Sequence, residues 1–398
     1  MSTSTETGYL GNLTTTEEAA LERLRSGVPQ AVLDAGHKEG DNVTIWNQAL
    51  HPCPEDQLHK DARDIVLLKF LRAREFDVDK ARTMLVNCLK WRREADIQSI
   101  IDMKLPPEFQ GIYLYLDLFC IFRARGHDSP PEYKDKEGRP ILLTTFGSMD
   151  PAKVFGNINA FVRYRVMVFE RAIAHLSFRR GDAETLLQIH DYTGVPMVFQ
   201  ESSIKKAVNA STHVFADCYP EFKGVTIFAN FPTPFVLLFK AMSVFIPAKT
   251  YKKFQLANAS ETPSKLAQYI HPGVLDPRYG GLRTELSKGL KSEGHTRSLA
   301  TRETAEIAAL KGVVAGEEIM YQVRATYGAV YATVAFRPSD GGSEVSLYDS
   351  GDEEIQPTDD KAVVEGTYKC EHAGSLVIRV RNVGRFSTKI VAYRAEKI

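Results

Sequence analysis

The middle of the chain alternates short apolar runs with helical segments, and this alternation limits the fold more than any other feature. The apolar runs predicted as strands are 141–146, 186–192, 225–231 and 254–257. The segments predicted as helices between them are 161–174, 203–218 and 234–246. Alternation of this kind indicates a mainly parallel α/β sheet.

The first hundred residues have a different, helical pattern. Thr14 is followed three residues later by Glu17, which is the capping-box signature of a helix start. Apolar residues then recur at helical spacing from 62 to 91. Residues 1–13 are polar and are predicted to be disordered. An α-helical N-terminal region is therefore expected before the sheet.

The pattern of apolar and polar residues changes after Tyr279-Gly280-Gly281, where the C-terminal part begins. Residues 282–302 are rich in Ser, Lys, Gly and Arg, which is typical of a linker. Beyond them lie short runs separated by turn signals, at 321–325, 330–336, 344–347, 366–370, 376–380 and 389–393. Regular short strands without a helical pattern predict an antiparallel β-sandwich.

Composition narrows the class of protein. The net charge is zero, so no bulk electrostatic argument supports binding of nucleic acid. The five cysteines lack CxxC spacing, which is typical of reduced thiols in the cytosol and of neither a zinc site nor a disulfide framework. We find neither a secretory signal nor an apolar run of the roughly 20 residues needed to span a bilayer. We therefore expect a cytoplasmic protein that touches membranes only peripherally.

The sequence also lacks familiar catalytic motifs. It contains no GxSxG elbow, no HExxH and no P-loop. Histidines such as His175, His213 and His271 have no nucleophile at a recognisable spacing. We therefore expect that the protein is not an enzyme.

Four motifs give the chain a family resemblance. Residues 67–77, which read Leu-Leu-Lys-Phe-Leu-Arg-Ala-Arg-Glu-Phe-Asp, precede Trp91-Arg92-Arg93 and are similar to the helical signature of CRAL-TRIO lipid-transfer proteins. The three further motifs that resemble this family, in the same order, are Lys136–Pro140, Tyr219–Glu221 and Tyr279–Gly281. The resemblance covers roughly residues 60–285. It implies an α/β CRAL-TRIO domain with a closed apolar cavity for a lipid, preceded by an α-helical N-terminal region and followed by an all-β sandwich.

The implied organisation has five parts. They are a disordered tail at 1–13, a CRAL-TRIO N-terminal helical region at 14–105, a CRAL-TRIO lipid-binding domain at 106–285, a linker at 286–302 and a β-sandwich at 303–398. The C-terminal strands, with Gly366-Thr367-Tyr368 and with Asn382 ahead of 389–393, resemble a GOLD domain. This second resemblance implies a surface for a protein partner.

One predicted strand carries two side chains that can bind haem. His190 and Tyr192 stand two residues apart, so they share one face at a separation of about 7 Å along the strand. Imidazole and phenolate are both ligands of ferric haem iron. In a packed core the same pair would be a hydrogen-bonded histidine and a buried tyrosine, and both interpretations stay open at this point.

A branch of the family favours the haem interpretation. The segments Phe161–Arg165 and Gln188–Tyr192 resemble the fungal haem-binding members of the yeast phosphatidylinositol-transfer family. The resemblance implies that Tyr192 is the ligand of the haem iron and that His190 lies beside it. Ordinary members carry apolar residues at these two positions. Because both side chains approach from one strand face, they cannot be opposite axial ligands.

A phospholipid headgroup needs cationic donors for its phosphate and a carboxylate to accept from its hydroxyls. Matched to the family motifs, Arg74, Glu221 and Lys253 stand at the inositol-phosphate positions. Each of these charges alone is also typical of a solvated surface. Glu75 departs from the family pattern, because the transfer proteins carry a lysine there and a carboxylate would repel phosphate.

The segment after Thr233 predicts an unusual helix. Thr233 can cap it and Pro234 fits its first position. The helix is apolar on all sides, which is typical of a buried helix, and it is too short to span a bilayer. The resemblance makes it the mobile gate over the lipid cavity, with gate residues Phe235, Leu238, Phe239, Met242 and Phe245.

Three functions follow from these patterns. The first is sequestration of a phospholipid, most of all phosphatidylinositol, and its transfer between membranes and cytosol at the surface of endomembranes. The second is a haem carrier or sensor in which Tyr192 is the axial ligand. The third is a membrane-trafficking adaptor that acts through the GOLD-like sandwich.

Overall fold

The computed structural model describes residues 7–104, 106–109, 134–145, 147, 150–195, 202–233, 251, 253–284, 287, 290–357 and 362–398. These residues form two compact units. The first unit takes those within 1–129, 137–228 and 239–255, and the second takes those within 130–136, 229–238 and 256–398.

The N-terminal region of the first unit is helical, as predicted. Its elements are α1 (Thr15–Ser26), α2 (Val28–Asp34), the hairpin strands β1 (Val43–Ile45) and β2 (Gln48–His51), α3 (Gln57–Ala73), α4 (Val78–Glu94), α5 (Ile97–Asp102) and a 3-10 turn at Pro107–Phe109. The predicted capping box opens α1. The Glu17 backbone amide donates to the Thr14 hydroxyl, and the Glu17 carboxylate accepts from the Thr14 backbone amide.

The helical pattern predicted from 62 to 91 is two helices and not one. The chain turns between α3 and α4, where Glu75 and Phe76 have φ values of 52° and 61°. L-residues rarely adopt this left-handed conformation, and an α-helix cannot continue through it, so α3 ends before these two residues. Asp77 then starts α4, because its carboxylate accepts from the backbone amide of Lys80 at 3.1 Å. Periodicity alone does not reveal such a break.

The predicted disorder of residues 1–13 is corrected by the structure for residues 7–13. Arg72 of α3 donates to the carbonyl of Gly8 at 2.9 Å. The guanidinium of Arg72 also lies 4.3 Å from the centre of the Tyr9 ring. A cation–π contact and a charge-assisted hydrogen bond therefore hold this polar segment on the helical region.

The α/β part of the first unit contains the predicted sheet. Its elements in chain order are β3 (Ile141–Thr145), α6 (Pro151–Gly156), α7 (Ile158–Ile173), β4 (Leu186–Asp191), α8 (Ser202–Cys218), β5 (Lys223–Ala229) and β6 (Phe254–Leu256). The strand order is β3-β4-β5-β6, and β3 and β4 pair in parallel with Thr144 beside His190. The α/β fold class is therefore confirmed.

A buried lysine ties the helical region to this sheet. Lys69 of α3 has no exposed surface, and its Nζ donates to the carbonyl of Glu184 at 2.6 Å and to that of Glu221 at 3.4 Å. The ammonium also lies 4.2 Å from the centre of the Phe222 ring. A buried cation is costly unless hydrogen bonds and opposite charge surround it, so these contacts define the position of α3.

The second unit contains a short helix and the C-terminal strands. Its elements are α9 (Thr262–Tyr269), a 3-10 turn at Pro277–Tyr279, β7 (His295–Leu299), β8 (Thr304–Val313), β9 (Glu318–Tyr327), β10 (Tyr331–Pro338), β11 (Val345–Asp349), β12 (Val363–Lys369), β13 (Gly374–Arg381) and β14 (Lys389–Lys397). The strands form two antiparallel sheets in the orders β11-β10-β13-β8 and β12-β9-β14-β7. This arrangement confirms the all-β C-terminal class.

The boundary of the sandwich differs from the prediction. The linker was expected to extend over 286–302, yet β7 at His295–Leu299 pairs with β14 and belongs to a sheet. Asn382 strengthens this end, because its side-chain amide donates to the carbonyls of Leu299 and Ala300. Within the described residues the sandwich therefore begins at His295 and not at residue 303.

None of the helices that the described residues form is long and apolar enough to cross a membrane.

We predict that replacing Lys69 by methionine changes how stability depends on pH. Burial lowers the pKa of Lys69 to about 7, against about 10.4 in the unfolded chain. Between these values the unfolded chain binds a proton that the folded protein does not. The wild type should therefore gain stability over Lys69→Met as the pH rises from about 7 to about 10, by up to a few kcal/mol. Denaturant unfolding across this range measures the difference.

Lys90 of α4 provides the matched control, because its side chain is exposed. Lys90→Met should differ from the wild type by an amount that does not change with pH. A similarly constant difference for Lys69→Met would contradict the depressed pKa of Lys69.

Candidate functional site

The two candidate haem ligands lie on one face of the sheet, around a shared aromatic ring. The ring of Phe228 on β5 lies 5.7 Å from that of His190 and 6.2 Å from that of Tyr192, measured between centroids. Phe254 of β6 lies 5.7 Å beyond Phe228. The predicted shared face of His190 and Tyr192 is thus seen directly, and it continues as an aromatic row across three neighbouring strands.

This face keeps its titratable groups uncharged. Burial, together with the charges of Arg165 and Lys223, lowers the pKa of His190 to about 3. Burial raises the pKa of Tyr192 to about 12. At neutral pH the face therefore presents a neutral imidazole and a neutral phenol.

The same side chains are largely surrounded by protein atoms and yet keep some accessible surface. His190, Tyr192 and Phe228 are only half-buried, although burial shifts the pKa values of the first two strongly. Lys223 at the start of β5 is exposed, yet burial lowers its pKa to about 8. Desolvation of this size arises when protein atoms surround a group on most sides.

Two buried polar atoms lie on the same face beside His190. Thr144 is the neighbour of His190 on β3, and Gln188 stands two residues before it on β4. Neither the Thr144 hydroxyl nor the Gln188 Nε2 has a hydrogen-bond partner among the described residues. An unmatched buried polar atom costs about 1–3 kcal/mol. A ligand with a polar group at this place would recover part of that cost.

Two of the three predicted headgroup residues lie near each other. The Lys253 Nζ is 3.9 Å from a carboxylate oxygen of Glu221, and both side chains are partly exposed. The Thr226 amide donates to the Lys253 carbonyl at 2.8 Å, which holds Lys253 against β5. Glu221 has a φ of 56° and its carbonyl accepts from buried Lys69. Hydrogen bonds therefore hold the backbone of both Glu221 and Lys253 in place.

Arg74 has different surroundings. It lines a surface groove of about 360 Å³ together with residues of α4, among them Asp79, Lys80 and Asn87. Its described hydrogen bond goes to the carbonyl of Ala73, and none joins it to Glu221 or Lys253 in the described part of the chain. The structure brings two of the three predicted headgroup residues together and leaves Arg74 in a separate groove.

The predicted gate residues Phe235, Leu238, Phe239, Met242 and Phe245 lie outside the described residues. The gate therefore stays a prediction from the sequence.

The sequence does not identify Phe228 as part of this face, nor Arg165 and Lys223 as cations whose charge acts on His190. Phe228 falls inside a run that was predicted as a strand, but its contact with His190 depends on how β4 and β5 pair. Lys223 directly precedes that predicted run, and a charged residue at a strand end is ordinarily solvated. Only the three-dimensional pairing identifies these residues.

Models of protein families match two parts of the chain. The CRAL/TRIO domain model matches residues 129–281, and the model of the CRAL/TRIO N-terminal domain matches residues 31–87. Together they cover more than half of the chain. The protein therefore belongs to the CRAL/TRIO family, whose members include lipid-transfer proteins.

Individual relatives agree with this assignment. Patellin-6 of Arabidopsis thaliana is 26% identical over 98% of this chain and 89% of its own length. Phosphatidylinositol transfer protein SFH5 of Meyerozyma guilliermondii is 28% identical over 68% of this chain and 79% of its own length. The crystal structure of Sfh5 matches with a TM-score of 0.54 at 24% identity, over 68% of this chain and 89% of that one. This structural likeness shows a shared fold.

Proposed function

We propose that the protein binds a phospholipid, with phosphatidylinositol as the preferred one, in an apolar cavity on the His190 face of the β3–β6 sheet. It would carry this lipid between endomembranes and the cytosol without catalysing a reaction. One observation carries the proposal. His190 and Tyr192 are desolvated by surrounding protein and yet keep accessible surface.

Side chains that are enclosed by protein and still have accessible surface are typical of the lining of an internal cavity. A group in a packed core has no accessible surface, whereas the pKa of a group on an open surface is not shifted by desolvation. His190 and Tyr192 fit neither description, since burial shifts their pKa values while part of each side chain stays accessible. Side chains that line a cavity have both properties. The aromatic rings of Phe228 and Phe254, which contact each other, would form part of the wall of such a cavity.

The energetics of acyl chains suit a cavity of this kind. Burial of apolar surface is favourable by about 25 cal/mol per Å², so two acyl chains supply a large and non-directional driving force. The predicted gate, with Phe239 and Met242, would cover the chains when closed and face the membrane when open. Non-directional burial stabilises both arrangements.

The headgroup would be held by Lys253 and Glu221. The Lys253 ammonium is a donor for phosphate, and the Glu221 carboxylate accepts from the hydroxyls of an inositol ring. Their separation of 3.9 Å and their partial exposure make the pair a weak one, so ligand oxygens can replace it at little cost. The name of the relative SFH5, a phosphatidylinositol transfer protein, supports the same headgroup. Arg74 would contribute only if the headgroup also reached its groove.

We predict that Lys253→Ala and Glu221→Gln each slow the transfer of phosphatidylinositol between vesicles by about tenfold, because each removes a charge-assisted hydrogen bond. Transfer of phosphatidylcholine, which has no inositol ring, should change much less for Glu221→Gln. A fluorescent-lipid transfer assay with both lipids measures this split. Lys90→Ala is the control for loss of an exposed lysine.

Unchanged phosphatidylinositol transfer in both site variants would remove these residues from the headgroup site. Absence of lipid transfer by the wild-type chain would refute the proposed function itself.

Haem is a second candidate ligand, favoured by the cluster of His190, Tyr192 and Phe228. The phenol and the imidazole on one enclosed face match the donors that bind ferric haem, and an aromatic ring lies beside both. When bound, haem would supply redox or sensing chemistry. Tyr192 would hold the iron as phenolate, which requires the metal charge to overcome the pKa of about 12 that burial imposes on this phenol.

We predict that purified wild-type protein supplied with haemin shows a Soret band of bound haem that Tyr192→Phe greatly reduces. His190→Gln should retain the band in altered position, since it leaves the phenolate in place. Visible spectroscopy of the three proteins at equal concentration measures the effect. A wild-type band that survives Tyr192→Phe unchanged would exclude Tyr192 as the ligand.

A further inference from the structure

A second pocket lies within the second unit, and it is lined by unusually basic groups. It has a volume of about 610 Å³ and lies between the segment that follows β6 and strand β9. Its lining includes Arg278, Gly280, Arg324 and Tyr327. We call it the Arg324 pocket.

Arg324 is a buried cation with few partners. It is 5% exposed, and of its guanidinium donors one, Nη2, is hydrogen-bonded to the Pro357 carbonyl at 3.0 Å. Its Nε is buried without a hydrogen-bond partner among the described residues. An arginine has five N–H donors, and a buried one ordinarily meets a carboxylate with two of them. The burial of Arg324 is therefore poorly compensated.

Among the described residues, Asp276 is the carboxylate whose charge acts on Arg324. No hydrogen bond joins these two side chains in the described residues. Asp276 instead lies 3.3 Å from the Nε of Arg278 and accepts from the Arg278 backbone amide at 3.0 Å. Among the described residues, two guanidinium groups thus share the charge of one carboxylate.

The turn at Gly280, which lines the same pocket, packs closely against β9. Gly280 has a φ of 84°, and a Cβ at this position would lie 2.8 Å from Pro263 and 2.9 Å from Thr326. Glycine is therefore required for the close packing of the turn against β9. The Thr326 hydroxyl donates to the Gly280 carbonyl at 2.9 Å and fixes the turn.

We propose that the Arg324 pocket binds an oxyanion, either a free phosphate or the phosphate of a lipid headgroup. The oxyanion would accept from the Arg324 Nε–H and from Arg278, and so place negative charge beside the two guanidinium groups. This site is separate from the sheet face of the first unit. The inference therefore does not depend on the proposed lipid cavity.

The test is calorimetric titration of the full chain with inorganic phosphate, with ionic strength held constant by sodium chloride. The wild type should bind phosphate, and Arg278→Gln should bind it about tenfold more weakly because one charge-assisted contact is lost. Arg324→Met should show no binding. Arg385→Gln removes an exposed arginine elsewhere on the sandwich and should bind as the wild type does.

Thermal unfolding in phosphate-free buffer separates this role from a structural one. Removal of a poorly compensated buried charge should leave the Tm of Arg324→Met equal to or above that of the wild type. A purely structural arginine would lower it. If Arg324→Met does not fold, Arg278→Gln decides the question, since Arg278 is half exposed and its loss leaves the packing intact.

Vesicles distinguish the two sources of the oxyanion. Phosphatidylcholine vesicles with phosphatidic acid are compared with phosphatidylcholine alone. Binding only to the phosphatidic acid vesicles, lost in Arg278→Gln, would assign the pocket to a lipid headgroup, whereas binding of inorganic phosphate would assign it to the free ion. If the wild type binds neither, or if Arg278→Gln binds as the wild type does, the inference is overturned.

Discussion

The buried ammonium of Lys69 is the interaction on which the first unit depends. It lies on α3, and its two carbonyl partners, Glu184 and Glu221, stand two residues before β4 and β5. Those strands carry His190 and Phe228, so the position of the sheet face relative to the helices is set through one side chain. Arg72, one turn further along α3, adds an ion pair to the Glu184 carboxylate at 2.5 Å. Because an unpaired buried cation is so costly, alternative placements of α3 are strongly disfavoured.

A second buried polar group reinforces the same arrangement from α4. Arg92 forms an ion pair with Glu170 of α7, and the Tyr219 hydroxyl donates to the same carboxylate at 2.7 Å. Tyr219 begins the Tyr-Pro-Glu motif, so the α4–α7 contact reaches the turn that leads to Glu221. The motifs that first suggested the family therefore contain residues that hold the fold together, and Glu221 also belongs to the proposed headgroup site.

Much of this architecture could be predicted from the sequence, for physical reasons that differ along the chain. The α/β alternation and the capping box at Thr14 are local signals, and both were read correctly. The break between α3 and α4 was not predicted, because the left-handed backbone at Glu75 does not show in the spacing of apolar residues. Strand β8 was missed because its sequence, with Glu306-Ile307-Ala308-Ala309-Leu310, has helix-forming residues, and pairing with β13 overrides that preference. The shared face of His190 and Tyr192 follows from strand period, whereas the effect of the Arg165 and Lys223 charges on His190 depends on the tertiary structure.

In the proposed function, the His190 face lines a lipid cavity. Native mass spectrometry of the full chain after incubation with phosphatidylinositol vesicles tests this most directly. Stoichiometric retention follows from enclosure, because a lipid on an open surface would be lost on removal of the vesicles. The account predicts a complex of one phospholipid per chain, with phosphatidylinositol enriched over phosphatidylcholine when both are offered. A chain that emerges free of lipid from every mixture would contradict it.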